Sequence, residues 1–156
     1  MNAPTTAQDN VIVDERPWKK PWPNIDFDSE PFWDGLKEHK FLLWRCKTCG
    51  AWYWPKSYCI KCDTIDPKMG NMAWEEASGC GKVFSVNVVY YVFHRGFAED
   101  VPYAHIVMET EEGPLVSSTL VQGDPEKVEI GMPLEVAYED HPNEGFTMLR
   151  FRPRKE

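Results

Sequence analysis

The chain has 156 residues, a formal net charge of −8, 42% apolar residues and 27% charged residues, a composition typical of a folded protein. This length suffices for one ordinary domain and a small appendage, but hardly for two full cores. No window approaches the roughly 20 apolar residues that cross a bilayer, and the polar, acidic N-terminus lacks the pattern of a secretory signal. We therefore expect a cytoplasmic protein without a membrane segment. The acidic balance argues against a nucleic-acid partner.

Residues 1–27 are predicted to form an extended N-terminal arm. Proline density in this segment excludes a regular helix. The alternatives are a disordered leader or an arm that docks on another surface, for example on another subunit. Aromatic residues favour docking. Prolines and aromatic residues alternate in the segment: Pro17, Trp18, Pro21, Trp22, Pro23 and Phe27.

Residues 28–40 are predicted to form a short helix. An Asp-Ser pair at its start supplies suitable N-cap residues. Phe32, Trp33 and Leu36 then lie on one face and form an apolar stripe. Gly35 lowers helix propensity, so we expect about two turns that end near residue 39.

Two CxxC pairs follow, Cys46 with Cys49 and Cys59 with Cys62, separated by nine residues. Sulfurs at i and i+3 can converge on one ion, and two such knuckles complete a tetrahedral four-sulfur site. Gly50 supplies the left-handed backbone that such a knuckle often needs. The spacing favours zinc, although an iron site of the rubredoxin type has similar ligands. Sulfur fills all four positions, so the metal is expected to be structural and not catalytic.

The strand pattern divides the rest of the chain into two parts. Residues 41–70 are predicted to form the zinc ribbon, with FLLWRC leading into the first cysteine pair and AWYWP leaving it. Residues 71–156 contain further strand candidates, separated by turn residues: MAWEEAS, KVFSVNVVYYVF, AHIVMET, PLVSSTLV, PLEVAYED and FTMLRFRP. Five or six strands, one of them long, favour a small closed barrel over a sandwich. The predicted fold class is mainly β, with a short N-terminal helix.

The sequence contains no recognisable catalytic motif. It has no glycine-rich phosphate loop, no GxSxG, no HExxH and no dinucleotide-binding fingerprint. Cys80 lies outside the metal set without a His or Asp pattern near it, which favours a buried small residue at a barrel corner over a nucleophile. No catalytic residue is therefore predicted.

The loop HRGFAEDVPY connects two long strand candidates. Its residues His94, Arg95 and Phe97 could contact an anionic ligand or a partner, and a solvated loop is the alternative. His39 and His141 are predicted to lie in surface turns.

Several motifs, in this order, resemble the DUF35 family: FWDGLKEHKFLLWRCKTCG, CIKC, ASGCGKVFSVNVVYY, EIGMPLEVAYED and FTMLRFRP. The resemblance covers residues 28–153 and implies an N-terminal helix, a rubredoxin-like zinc ribbon and a C-terminal five- to six-stranded OB-fold barrel. The four paired cysteines match the zinc ligands of that family one for one. Cys80 departs from the pattern, because a basic or small residue would be expected in its SGxG turn. A phosphate contact of coenzyme A (CoA) at Cys80 is therefore in doubt.

Members of this family accompany larger acyl-CoA enzymes, among them thiolases, ketosynthases, aldolases and hydratases. The resemblance thus implies a non-catalytic subunit of a hetero-oligomeric, thiolase-like complex that makes or breaks C–C bonds. The most specific kinship that we infer from this resemblance is to the small subunit of benzoylsuccinyl-CoA thiolase, and no single residue indicates it. The subunit would hold structural Zn²⁺, with CoA or acyl-CoA bound at the complex. The alternatives are a partner of an acyl-CoA hydratase or aldolase, and a module that binds single-stranded nucleic acid.

Aromatic residues of the helix and the ribbon are predicted to form an adhesive surface for the partner, because such residues commonly anchor interfaces. Packing of the same residues on the barrel is the alternative. The predicted contacts to the partner or to CoA are Phe32, Trp33, Trp52, Trp54, His94, Arg95 and Phe97.

Overall fold

The computed structural model describes residues 9–62 and 71–155. Its single described α-helix is α1, Glu30–Lys37, and the described strands form two sheets. The strands are β1 Val11–Val13, β2 Leu42–Cys46, β3 Trp52–Tyr53, β4 Met72–Glu76, β5 Cys80–Val89, β6 Tyr103–Thr110, β7 Leu115–Thr119, β8 Pro133–His141 and β9 Phe146–Pro153. The mainly β fold class is confirmed. Residues 63–70 of the predicted ribbon lie outside the described part of the chain.

Strands β5 to β9 form the barrel. β5 pairs with β6, β6 with β7, and β8 with both β5 and β9. The ring closes between β7 and β9, where the Val121 N–H donates to the Phe151 carbonyl at 2.7 Å. β5 pairs with both β6 and β8 and contains a bulge between Val83 and Ser85. Such bulges bend strands and are common at the rims of barrels. Gly81 allows β5 to approach β6 closely, since a Cβ there would lie 2.3 Å from the Glu109 carbonyl oxygen.

The ribbon sheet has the order β3-β2-β4. β4 pairs along its whole length with β2, from Leu42 opposite Glu76 to Cys46 opposite Met72. The sequence prediction assigned residues 71–156 to the barrel, whereas in the structure β4 belongs to the ribbon sheet. The barrel strands therefore begin at Cys80.

Helix, ribbon and barrel share one hydrophobic core. Phe32 and Leu36 of α1 and Leu43 of β2 are buried together with barrel residues such as Met108 and Phe151. Asp26 and Ser29 exchange hydrogen bonds just before α1, which orients the helix entry. The base of the ribbon is thus fixed to the barrel by apolar contact.

The arm lies along the barrel of its own chain from Asp9 to Trp22. β1 pairs in parallel with β8. The ring of Trp18 packs edge-on against His141 and Phe146, with centroids 4.8 and 5.0 Å apart. Lys20 forms a 2.7 Å ion pair with Asp100. Over these residues the arm therefore docks on the barrel of its own chain. The arm covers His141, which is 2% exposed, so the prediction that His141 lies in a surface turn is wrong.

Over residues 9–62 and 71–155, α1 with its eight residues falls short of what a bilayer-spanning helix requires in length and apolar character.

Replacing Trp18 by alanine is expected to lower the free energy of unfolding by about 2 kcal/mol, because a half-buried ring with two edge-on aromatic contacts is lost. Trp22→Ala is the matched control: the residue lies in the same arm but is 64% exposed, and its loss should cost no more than about 0.5 kcal/mol. Urea unfolding followed by circular dichroism measures both. Equal losses would show that Trp18 does not hold the arm.

Candidate metal centre

The four paired cysteines lie at the tip of the ribbon. Cys46 ends β2, and the chain turns through Gly50, whose φ of +76° is a left-handed conformation that favours glycine. The Gly50 N–H donates to the Cys46 carbonyl at 2.8 Å, and the Cys46 N–H donates to the Ala51 carbonyl at 2.8 Å. These bonds fold the first CxxC pair into a knuckle.

The four sulfur atoms converge, and no disulfide joins them. The Sγ atoms of Cys49 and Cys59 are 3.5 Å apart, and those of Cys46 and Cys62 are 3.8 Å apart. All four atoms lie within 4.8 Å of one another. A tetrahedral ion with Zn–S bonds of about 2.3 Å requires sulfur separations of about 3.8 Å. The donor set and its spacing therefore fit one tetrahedral Zn²⁺ ion.

Tyr53 supports the site from beneath. Its hydroxyl lies 3.3 Å from the Sγ atom of Cys59 and accepts the backbone N–H groups of Ile60 and Lys61. The side chain is 9% exposed. One phenol thus connects β3 to the second knuckle and to Cys59, one of the four candidate ligands; in metal sites such an arrangement orients ligands and tunes affinity.

Hydrogen bonds shift the cysteine pKa values unequally. The bond with Tyr53 lowers the pKa of Cys59 to about 6, because it stabilises the thiolate. The backbone N–H of Cys49 lowers the pKa of Cys46 in the same manner. Hydrogen bonds with the thiols of Cys49 and Cys59 raise the pKa of Cys62 to about 12. A divalent cation is the group that would stabilise all four sulfurs as thiolates at once.

A second group of metal-ligating residue types, Asp14, Glu139 and His141, lies between the arm and the barrel. Its carboxylates are already paired: Asp14 with Arg16 at 2.7 Å and Glu139 with Arg150 at 3.0 Å. His141 Nε2 lies 2.8 Å from Glu139. The arginines neutralise the charge that would attract a cation, so we interpret this group as an ion-pair network.

The predicted contact residues of the helix and ribbon lie largely inside the protein. Phe32 is 5% exposed and cannot form a surface contact. Trp33, Trp52 and Trp54 are half-buried against the shared core, and the centroid of Trp54 is 4.5 Å from that of Phe32. For these aromatic residues the structure thus shows intramolecular packing, which was the alternative interpretation.

The loop residues differ in exposure. Phe97 is half-buried, next to Tyr103 and beneath Lys20 of the arm. His94 and Arg95 are exposed, and His94 Nδ1 accepts the Gly96 N–H. These two side chains remain available for contact with a ligand or a partner.

Sequence reasoning missed the most exposed aromatic segment, Tyr90–Phe93. The sequence predicted a strand through residue 93, but β5 ends at Val89. The missed signal is a run of six consecutive apolar residues, Val88 to Phe93, without period-two alternation, since a half-buried strand would alternate.

Two family models match the chain. The rubredoxin-like zinc ribbon domain of ChsH2 matches residues 33–65, and the C-terminal OB-fold domain of ChsH2 matches residues 74–139. A DUF35 domain-containing scaffold protein from Methanocaldococcus jannaschii is 36% identical over 110 residues, which is 68% of this chain and 73% of that protein. The chain belongs to the DUF35 family. The family prediction is thereby confirmed, as are the zinc ribbon and the OB-fold.

Other relatives of this DUF35 chain are larger or belong to complexes. A probable enoyl-CoA hydratase alpha subunit from Thermomonospora curvata is 30% identical over 136 residues, but the match spans 86% of this chain and only 40% of that protein. A solved structure described as the Ltp2-ChsH2(DUF35) aldolase matches with a TM-score of 0.71 and 28% identity, covering 85% of this chain and 98% of the matched one.

The match to a zinc ribbon, together with the four converging sulfurs, indicates a structural zinc site. Cys46, Cys49, Cys59 and Cys62 would hold the ion. With four sulfur ligands the ion has no open position for a substrate or water, so it would supply rigidity and no chemistry.

Replacing Tyr53 by phenylalanine is expected to raise the zinc dissociation constant about 10- to 100-fold, because Cys59 loses its hydrogen bond and two N–H groups lose their acceptor. Tyr58→Phe is the matched control in the same ribbon, since Tyr58 is 56% exposed and should leave affinity unchanged. Competition with a chromophoric chelator measures both. An unaltered affinity in Tyr53→Phe would exclude the supporting role of the phenol.

Proposed function

We propose that this DUF35 chain is a non-catalytic subunit that binds a larger acyl-CoA enzyme. The observation that carries the proposal is an exposed apolar surface, the aromatic loop, formed by Tyr90, Tyr91, Val92 and Phe93. Their exposed fractions are 62, 70, 39 and 79%. Contiguous apolar surface of this kind commonly marks a protein interface.

The aromatic loop is ordered by its own contacts. The Tyr90 hydroxyl donates to Glu126 at 2.6 Å. The rings of Tyr91 and Phe93 pack edge-on with centroids 5.0 Å apart. A preorganised aromatic surface loses little conformational entropy on binding, and Tyr and Phe are enriched at interface cores.

The barrel face formed by β6 and β7 begins where the loop ends. Its outward positions alternate with the buried core residues and carry a single charged side chain: Tyr103, His105, Val107, Glu109, Leu115, Ser117 and Thr119. OB-folds bind single strands on the equivalent face, but neither β6 nor β7 contains Lys or Arg. Without cations to contact phosphates, this face favours a protein partner over nucleic acid.

The reaction that the larger subunit catalyses is inferred from the relatives. The relatives are described as a hydratase alpha subunit and as an aldolase, which favours a hydratase or aldolase partner. The family resemblance extends the candidate partners to thiolases. Contact with a CoA ester is proposed for the exposed His94 and Arg95 at the end of the aromatic loop.

The test is purification of the chain from its native extract under mild conditions, followed by native mass spectrometry and enzyme assays. We expect a stoichiometric complex with one larger subunit that carries thiolase, hydratase or aldolase activity toward an acyl-CoA, and no turnover by the chain alone. A chain that purifies as a monomer, or that turns over acyl-CoA by itself, would overturn the proposal.

Replacing Phe93 by serine is expected to weaken that complex about tenfold or more, because an exposed aromatic anchor is removed. Val13→Ser is the control, since Val13 is a 60% exposed apolar residue on the arm. It should leave affinity within about twofold. Titration by surface plasmon resonance with the purified larger subunit measures both, and equal affinities would exclude the aromatic loop from the interface.

A further inference from the structure

A groove of about 750 Å³ runs between α1 and the ribbon sheet. This helix–ribbon groove is separate from the four-sulfur site and from the aromatic loop. Its apolar surface is formed by Phe27, Pro31, Leu42, Trp44 and Trp74.

Two stacked tryptophans form part of its wall. Trp44 of β2 lies directly opposite Trp74 of β4 in the ribbon sheet. Their ring centroids are 4.2 Å apart with planes inclined by 29°. Phe27 precedes α1 and is 89% exposed. The groove therefore presents indole and phenyl surfaces to solvent, and such rings attract cations over their faces.

Carboxylates line the same groove. Asp28, Glu30, Asp34 and Glu38 line the groove, and Lys40 is the one basic residue among its lining. Four negative charges and one positive charge give a formal charge of −3. Lys40 is paired with Glu38 at 2.8 Å, and Lys37 lies 4.0 Å from Asp34. In the described part of the chain, Asp28 and Glu30 have no cation within 4 Å.

We propose that the helix–ribbon groove receives a segment of the larger subunit that carries an Arg or Lys side chain between apolar residues. This inference rests on the proposed function, because the segment belongs to the larger acyl-CoA enzyme subunit. A cation would lie over the tryptophan pair and face the carboxylates. A purely apolar segment would leave those carboxylates desolvated without a partner, which is costly. A second copy of this chain would bring a further net charge of −8.

The proposal is tested with the native complex and two charge-reversal variants. Asp34→Lys alters an exposed helix position on the groove, and Glu15→Lys alters an exposed position on the arm. Each changes the net charge of the chain by +2, so long-range electrostatics change equally. We expect Asp34→Lys to weaken the complex about tenfold or more at low ionic strength and to reduce its salt dependence. Glu15→Lys should stay within about twofold.

A milder variant, Asp34→Asn, removes one charge without reversing it and should produce an intermediate loss of affinity. Thermal unfolding of all variants checks that α1 is retained. If Asp34→Lys and Glu15→Lys bind alike, the groove proposal is overturned while the subunit function stands. If the wild-type chain forms no complex, both are overturned.

Discussion

The ribbon depends on four sulfur atoms that take the place of a hydrophobic core. In the described part of its tip only Cys46, Tyr53 and Cys59 are buried as a cluster, and two of these three belong to the cysteine set that would hold the zinc ion. At its base, Leu43 enters the core of the barrel. With zinc bound, the ribbon would be held at one end by coordination, and it is held at the other by apolar burial. An ion bound to folded thiolates adds its binding free energy to folding, which explains how so short a segment can keep a fixed shape.

The shared core determines which aromatic residues are left for other molecules. Phe32 is buried between α1 and the barrel, and Trp54 packs against it. Tyr91 and Phe93 lie beyond the end of β5 and contact mainly each other. An aromatic-rich sequence of this kind therefore contains two populations. One stabilises the union of helix, ribbon and barrel, and the other offers apolar area to a partner, which is the physical basis of the subunit function that we propose.

The N-terminal arm also restrains the segment that carries the aromatic loop. Trp18 covers His141, and Lys20 pairs with Asp100 in the connection after the aromatic loop. The backbone of Lys19 lies so close to Gly96 that a Cβ there would meet the Lys19 carbonyl oxygen at 2.3 Å. The arm thereby fixes the segment that connects β5 to β6. The loop proposed to contact the partner is thus held by its own hydrogen bond and by the chain that precedes the helix.

Local sequence patterns predicted the four-cysteine cluster, the short helix and most of the strands that the structure contains. These depend on local spacing: CxxC pairs, period-two alternation and glycine turns act over a few residues. Contacts between distant parts of the chain set the features that local patterns do not encode. β4 joined the ribbon because its partner β2 lies some thirty residues earlier. Phe32 became core, and His141 was covered by an arm more than a hundred residues away in sequence. Burial depends on which distant segments pack together, and residue type and local spacing do not specify that packing.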